Sequence, residues 1–283
     1  MGWVSIEAVP AFLSDGDMSD LERLNALRSK WVKLPAPPSD PWSPEYREHW
    51  LSVYETLSGR GYDVSSEESV IDVETAIAKP FPYSTRDPLT VADHLAAVAA
   101  TIKAMNLPVG ASVLELGAGW GNTSVALAQM GYDVTVLDVE ERFIQLVERR
   151  SKAIGIPLET IRGDFFEMQD IDRKFDALLF FESFHHCIDH QNLLDALAVK
   201  LNPGGKLVLA GETINDELPY AWGLNPNGES VFQISTKGWM ELAFRESYLL
   251  ETLRRKGWSV VRHDEVHTPA ERVYVCTRMA EGA

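Results

Sequence analysis

Val113-Leu114-Glu115-Leu116-Gly117-Ala118-Gly119-Trp120-Gly121 is the stretch on which the reading of this chain turns. A short apolar run ends in alternating glycines, and a helical pattern follows to Met130. Glycine permits a tight strand-to-helix turn and lets a ligand approach the backbone, where the first N–H groups of the helix point outward. The spacing departs from the dinucleotide fingerprint, which needs a further glycine where Asn122 stands. A glycine cluster alone is also compatible with a turn that binds nothing, so its meaning depends on what surrounds it.

Around it the chain alternates strand and helix. Asp133 to Leu137 is a predicted strand, a helix covers roughly Glu140 to Ile154, and Leu158 to Arg162 is a short strand. Phe175 to Phe181 carries almost no polar residue, as a strand buried on both faces should. A helix over His190 to Leu201 and the turn Asn202-Pro203-Gly204-Gly205 lead into a strand at Lys206 to Ala210. Upstream, Asp87-Pro88 reads as a helix cap with proline in the first turn, before the stripe Val91, Leu95, Val98, Ile102 and Met105. Such βαβ repetition builds a parallel sheet covered on both faces by helices. A helix is expected from Trp239 to Lys256, stopped by Gly257. Strands Trp258 to Val266 and Arg272 to Thr277, joined at Thr268-Pro269-Ala270, must be antiparallel.

Residues 1–85 read as a separate, mostly helical region, with 86–283 as the main domain. Leu21, Leu24, Leu27, Trp31 and Leu34 recur at helical spacing, followed by five prolines between Pro35 and Pro44 that make an extended linker. Ser43-Pro44-Glu45 then opens a helix carrying Trp50, Leu51, Tyr54 and Leu57, which stops at Gly59-Arg60-Gly61. Residues 212–238 carry no clear period and read as an insertion on the substrate side of the main domain.

The 283 residues hold 26 Lys+Arg against 42 Asp+Glu, a net charge of −16. That excess repels phosphate backbones, so no nucleic-acid partner is expected. No apolar run reaches the ~18 residues of a membrane span. The N-terminus shows no basic stretch followed by an apolar one, so no signal peptide is expected. Two cysteines, Cys187 and Cys276, are no disulfide framework, and a cytoplasmic setting is expected.

Four groups of residues fall at the C-terminal ends of the predicted strands, where open α/β sheets bind ligands. They are the glycine loop behind Glu115, Asp138, Gly163-Asp164-Phe165-Phe166, and Phe181-Glu182-Ser183-Phe184-His185-His186. An acid about 20 residues beyond such a loop is placed to hold a ribose hydroxyl pair. In this order, and with the turn Leu201 to Gly205, the segment from about 85 to 279 resembles the class I, Rossmann-like S-adenosylmethionine-dependent methyltransferases. The resemblance implies an α/β fold with a mostly parallel seven-stranded sheet and an antiparallel last strand. It implies S-adenosylmethionine as cofactor, with Gly117, Ala118 and Gly119 presenting backbone to its methionine part and Glu115 beneath. It assigns Asp138 to the ribose hydroxyls, Asp164 to the adenine amine and Phe165 to the ring face, and counts Phe181 among the cofactor-binding residues. In many members a segment before the first domain helix folds over the cofactor, and here Tyr83 and Arg86 have suitable groups.

Methyl transfer needs the nucleophile in line with the sulfur, and a hydroxyl nucleophile also needs a base. His185 or His186 is the candidate base, with Glu182 or Asp189 as orienting partners. His186 and His190 stand four apart, a spacing that on a helix shares one face, yet an imidazole-rich set is no hard-cation site and no metal is expected. Tyr220, Trp222 and Asn225 mix aromatic and amide groups suited to a small-molecule or saccharide acceptor. The Pro-Phe-Pro-Tyr and Glu-Ser-Phe-His-His-Cys segments resemble methyltransferases of bacterial polysaccharide and glycan biosynthesis. O-methylation is the leading expectation. N- or C-methylation of a small metabolite, or cofactor binding without catalysis, are the alternatives.

Overall fold

The computed structural model describes residues 2–14, 18–78, 81, 87–264 and 272–279. In chain order the first elements are β1 (Gly2–Ser5), α1 (Val9–Leu13), α2 (Asp20–Arg28), β2 (Lys30–Lys33), α3 (Pro44–Ser58) and α4 (Val73–Ala78). Next come α5 (Pro88–Met105), β3 (Ser112–Leu116), α6 (Asn122–Gln129), β4 (Asp133–Asp138), α7 (Glu141–Ala153) and β5 (Glu159–Arg162). β6 (Phe175–Phe181), α8 (His190–Ala198), β7 (Leu201–Ala210), β8 (Trp222–Leu224) and α9 (Gly228–Thr236) follow. The chain closes with β9 (Leu242–Phe244), α10 (Glu246–Arg255), β10 (Trp258–Asp264) and β11 (Arg272–Arg278). These elements form two units, one from Met1–Glu67 and Thr213–Leu249, the other from Glu68–Glu212 and Leu250–Ala283.

The larger unit holds a seven-stranded sheet in the order β10-β11-β7-β6-β3-β4-β5. The pairs from β7 to β5 are parallel, and β11 is antiparallel to both β7 and β10. This is the fold of the class I, Rossmann-like methyltransferases, with the expected reversal at the C-terminal end. Side chains alternate between the faces of each strand. Val113, Val134, Val136, Ala177, Leu179 and Val208 pack in one cluster with Ala97, Val98 and Met105 of α5, Leu127 of α6 and Val147 of α7. The intervening Leu114, Leu178, Phe180, Leu207 and Leu209 have no exposed surface either. Burial on both faces is why β6 reads as a continuous apolar run, and each such large side chain contributes roughly 1.5–3 kcal/mol.

Local signals place the ends of the elements. Asp87 caps α5 by accepting the Leu89 N–H at 3.1 Å, with Pro88 in the first turn. The tight turn expected at 202–205 is an interruption in the β6–β7 ladder, whose register jumps from Phe175↔Leu201 to Ala177↔Lys206. The join expected at Thr268-Pro269-Ala270 lies outside the described residues.

The smaller unit departs from the expected boundaries. Residues 213–249 are not an insertion on the main domain; they fold with 1–67. The reason lies on α3, capped by Ser43 and ended by Gly59 in the left-handed conformation. Its buried face carries Tyr46, Trp50, Val53 and Tyr54, large apolar surface that needs cover. The later segment covers it. Trp50 meets Tyr220 with ring centroids 4.5 Å apart, Tyr46 donates to the Trp222 carbonyl at 3.0 Å, and Tyr54 donates to that of Gly238 at 2.5 Å.

Two helix expectations are corrected in the same unit. α2 stops at Arg28, and Trp31 lies instead in β2, parallel to β1 through the pairing Trp3↔Trp31. The helix expected from Trp239 begins only at Glu246, because Leu242–Phe244 pair antiparallel with Trp222–Leu224 as β9 and β8. In both cases a paired strand overrides a helical spacing of apolar residues.

Candidate active site

Chain order runs from β3 outward to β4 and β5, then returns to β6 and β7 on the other side. The point where the order reverses lies between β3 and β6, and open α/β sheets form their binding crevice there. Backbone bonds carry the ladders past the strand ends: the Gly117 N–H donates to the Leu137 carbonyl at 2.8 Å and Gly163 N–H to that of Asp138 at 3.0 Å. The Ser183 hydroxyl ties the two central ends together by donating to the Leu116 carbonyl at 2.7 Å.

Gly117 and Gly121 need to be glycine. Both have positive φ, at 73° and 68°. A Cβ on Gly117 would stand 2.8 Å from the Ser183 Cβ, and one on Gly121 would stand 2.4 Å from a Val147 methyl. Gly119 differs, because a Cβ there meets nothing within 4 Å and its N–H donates to the Asp138 Oδ2 at 2.8 Å. The glycine loop is thus packed at its two ends and open in its middle.

Two acids stand beneath this loop. Asp138 also accepts the Glu140 N–H at 2.9 Å on Oδ1. Burial raises its pKa to about 6, two backbone donors pull the other way, and positive charge on the nearby His186 lowers it. Glu115 is buried and takes the Ser124 hydroxyl as donor. Burial lifts its pKa to about 8, and the negative charge of Asp138 adds to that rise. Asp164 is half-buried and caps its own turn, accepting the Phe166 N–H at 2.7 Å on Oδ1. Phe165 stands against Phe180 at 5.3 Å and beside Gly117.

Beyond β6 the backbone turns sharply. Glu182 has φ 53°, a left-handed conformation that costs a non-glycine residue about 1 kcal/mol or more and concentrates at functional sites. Its carboxyl is raised first by burial and next shifted by the charges of His185 and Glu212. Neither expected partner orients His185. Its Nδ1 instead lies 2.8 Å from Oε2 of Glu212, a residue absent from the sequence reading. Glu212 also accepts the backbone N–H groups of Ser183, Phe184 and His185 at 3.3, 3.0 and 3.0 Å. His186 lies alongside, its ring centroid 4.5 Å from that of His185.

The shared helical face expected for His186 and His190 does not form. Phe184–His186 is a single 3-10 turn and α8 begins only at His190. Among the described residues no group of three or more His, Cys, Asp and Glu is arranged to hold a metal ion. His190 is fully buried, and burial pushes its pKa down to about 4. Because the folded value lies below the ordinary 6.5, the unfolded chain binds the proton first. Stability is therefore expected to fall by about 3 kcal/mol as pH drops from 6.5 to 4 through this residue. Urea unfolding at several pH values checks it, with His190→Gln expected to flatten that part of the profile.

The remaining expected residues are dispersed. Tyr83 and Arg86 lie outside the described residues. Phe181 is buried and faces His94 of α5 at 5.4 Å, a histidine the sequence reading missed. His94 approaches the Asn122 amide at 3.4 Å, and burial lowers its pKa. Tyr220, Trp222 and Asn225 are buried in the smaller unit. Their polar atoms are bonded within it: the Tyr220 hydroxyl to the Leu224 carbonyl at 2.6 Å, the Trp222 ring N–H to that of Pro41 at 2.8 Å, and the Asn225 N–H to that of Glu241 at 2.7 Å.

Known proteins resemble this chain in sequence and in fold. Residues 113–205 match the family described as methyltransferase domain. The ubiquinone biosynthesis O-methyltransferase of Paramagnetospirillum magneticum is 31% identical over 155 residues, which cover 53% of this chain and 60% of that protein. The demethylmenaquinone methyltransferase of Tropheryma whipplei is 32% identical over 111 residues, 39% of this chain and 45% of that one. The chain therefore spans about half the length of the curated relatives it matches. Among solved structures, a DhpI–SAH complex superposes with TM-score 0.54 at 21% identity, covering 76% of this chain and 97% of that one. An S-adenosylmethionine-dependent methyltransferase from Clostridium acetobutylicum gives 0.53 at 15% identity, covering 74% and 99%. At these identities the two structures establish the fold.

Proposed function

We infer, from a chain that carries a methyltransferase domain on the class I fold, that it is an S-adenosylmethionine-dependent methyltransferase. Its acceptor is the hydroxyl of a small molecule. The observation that carries this reading is the meeting of the open glycine loop with Asp138 at the reversal point of the sheet. Each Asp138 oxygen accepts one backbone N–H and retains a further lone-pair direction, which suits two adjacent ribose hydroxyls. The space over Gly119 admits a ligand against the backbone. The acids Glu115 and Asp138 favour a ligand bearing positive charge, since the negative charge of Asp138 raises the cost of ionising the buried Glu115. When bound, S-adenosylmethionine supplies a methyl group on a sulfonium, open to in-line attack.

The histidines after β6 supply the base that a hydroxyl acceptor needs. The names of the relatives support a quinone-type ring as acceptor over a saccharide. No helix among the described residues is long and apolar enough to cross a membrane.

S-adenosylmethionine or S-adenosylhomocysteine at 100 times its Kd is expected to stabilise the protein by about 2.7 kcal/mol. That corresponds to a rise in Tm of roughly 5–10 °C. An unchanged Tm with both compounds would overturn the reading. Release of S-adenosylhomocysteine in the presence of dihydroxybenzoates, and not of free sugars, is the result expected for the acceptor.

A further inference from the structure

The turn that carries His185 is built around one carboxylate. The Glu212 side chain has no exposed surface and His185 only 9%. Three backbone N–H groups in succession, from Ser183, Phe184 and His185, point at Glu212, and the Nδ1 of His185 is the fourth contact. A buried carboxylate needs such donors, because isolating it from water costs several kcal/mol. An ionised carboxylate only accepts hydrogen bonds, so the imidazole nitrogen facing it must carry a proton. In the neutral ring that leaves Nε2 unprotonated, and among the described residues Nε2 has no partner.

We propose that Glu212 is a positioning residue that holds His185 in its Nδ1–H tautomer, making His185, through Nε2, the base of the transfer reaction. The assignment rests on the methyltransferase reading and extends it by naming the base and its orienting group. His186 has a different place. Its ring lies 4.5 Å from that of His185, and its charge acts on Asp138. The acceptor O–H bond breaks and its proton passes to Nε2, while the oxygen's electron pair forms the bond to the methyl carbon. The electrons of the carbon–sulfur bond return to sulfur. The resulting imidazolium stands against the Glu212 carboxylate, which offsets its charge until the proton leaves to solvent. A base of this kind serves an acceptor that must lose a proton to become a nucleophile, which favours an oxygen acceptor.

Glu212→Gln is the discriminating substitution. The amide keeps one oxygen for the Ser183 and Phe184 donors, but puts an NH2 in place of the oxygen that meets the His185 N–H and Nδ1. That NH2 can donate to Nδ1 and shift the ring proton to Nε2. Proton-detected 15N spectra of the imidazoles read the tautomer directly, with His185→Gln used to assign the signal. The wild-type protein is expected to show His185 as Nδ1–H, with and without bound S-adenosylhomocysteine. Glu212→Gln is expected to show it as Nε2–H, with the S-adenosylhomocysteine Kd changed by less than about threefold and turnover on a dihydroxybenzoate lowered on the order of 100-fold. An Nε2–H tautomer in the wild-type protein overturns the proposal whether or not the variant folds. An unchanged tautomer in a folded Glu212→Gln variant overturns it too. Loss of cofactor binding by the wild-type protein would instead fault the methyltransferase reading.

Discussion

Asp138→Ala is expected to weaken S-adenosylhomocysteine binding about 100-fold, measured by calorimetry at pH 7.5, while leaving the folded protein nearly as stable as before. The affinity loss follows from two hydrogen bonds to a charged acceptor, each contributing about 1.5–3 kcal/mol. For stability, two effects oppose each other. Removing the carboxylate orphans the N–H groups of Gly119 and Glu140, at about 1–3 kcal/mol each. It also removes a buried charge whose pKa has risen from 3.8 to about 6, which costs the folded state about 3 kcal/mol at neutral pH. The sign follows from linkage. A folded pKa above the unfolded one means the cost is present above pH 6 and disappears as pH falls below about 4. Binding has the opposite dependence, because a ribose hydroxyl donates best to the ionised form. Affinity is expected to fall as pH drops below 6 in the wild-type protein and to stay flat in Asp138→Asn. A Kd within threefold of wild type in both variants would remove Asp138 from the cofactor site.

Gly228→Ala is expected to have the largest effect on stability, about 3 kcal/mol or more, read as a fall in Tm of roughly 10 °C. A Cβ at this position would lie 1.8 Å from the Leu27 carbonyl oxygen and 2.4 Å from its carbon. Those atoms belong to the backbone at the end of α2, so no side-chain rotation relieves the contact. The first turn of α9 would have to move away from α2. Beside it, Asn227 caps α9 by accepting the Ser230 N–H at 2.7 Å, and the Val32 N–H donates to the Pro226 carbonyl at 2.8 Å. Gly59→Ala supplies the contrast. That glycine has φ 73°, but a Cβ added there would meet nothing within 4 Å. It is expected to cost only the conformational penalty of about 1 kcal/mol. Equal losses in the two variants would show that the close approach at Gly228 does not govern stability.

The order of strands and helices in the larger unit is written locally. Apolar strand runs alternate with helical stretches over most of Val113 to Ala210, and strands joined through such crossovers lie parallel in one sheet. Asp87-Pro88 and Ser43-Pro44 cap their helices for reasons confined to a single turn. Glu115, Asp138 and Glu182 are legible as candidate site residues because they stand at or beside the C-terminal ends of β3, β4 and β6. Glu212 follows the same rule two residues after β7 ends. Its signal is an acid at a further strand end, masked because the adjoining segment reads as a loop.

What the sequence alone determined is therefore the sheet and which acids and histidines stand at its C-terminal strand ends, since period and spacing act over a few residues. Only the tertiary structure decided which carboxylate meets His185, 27 residues away along the chain. It likewise decided that residues 213–249 cover the aromatic face of α3 and bury Tyr220 and Trp222 there. Both outcomes arise from burial. A carboxylate shut off from water must find donors, and an aromatic face must find cover, and neither partner need be near in sequence.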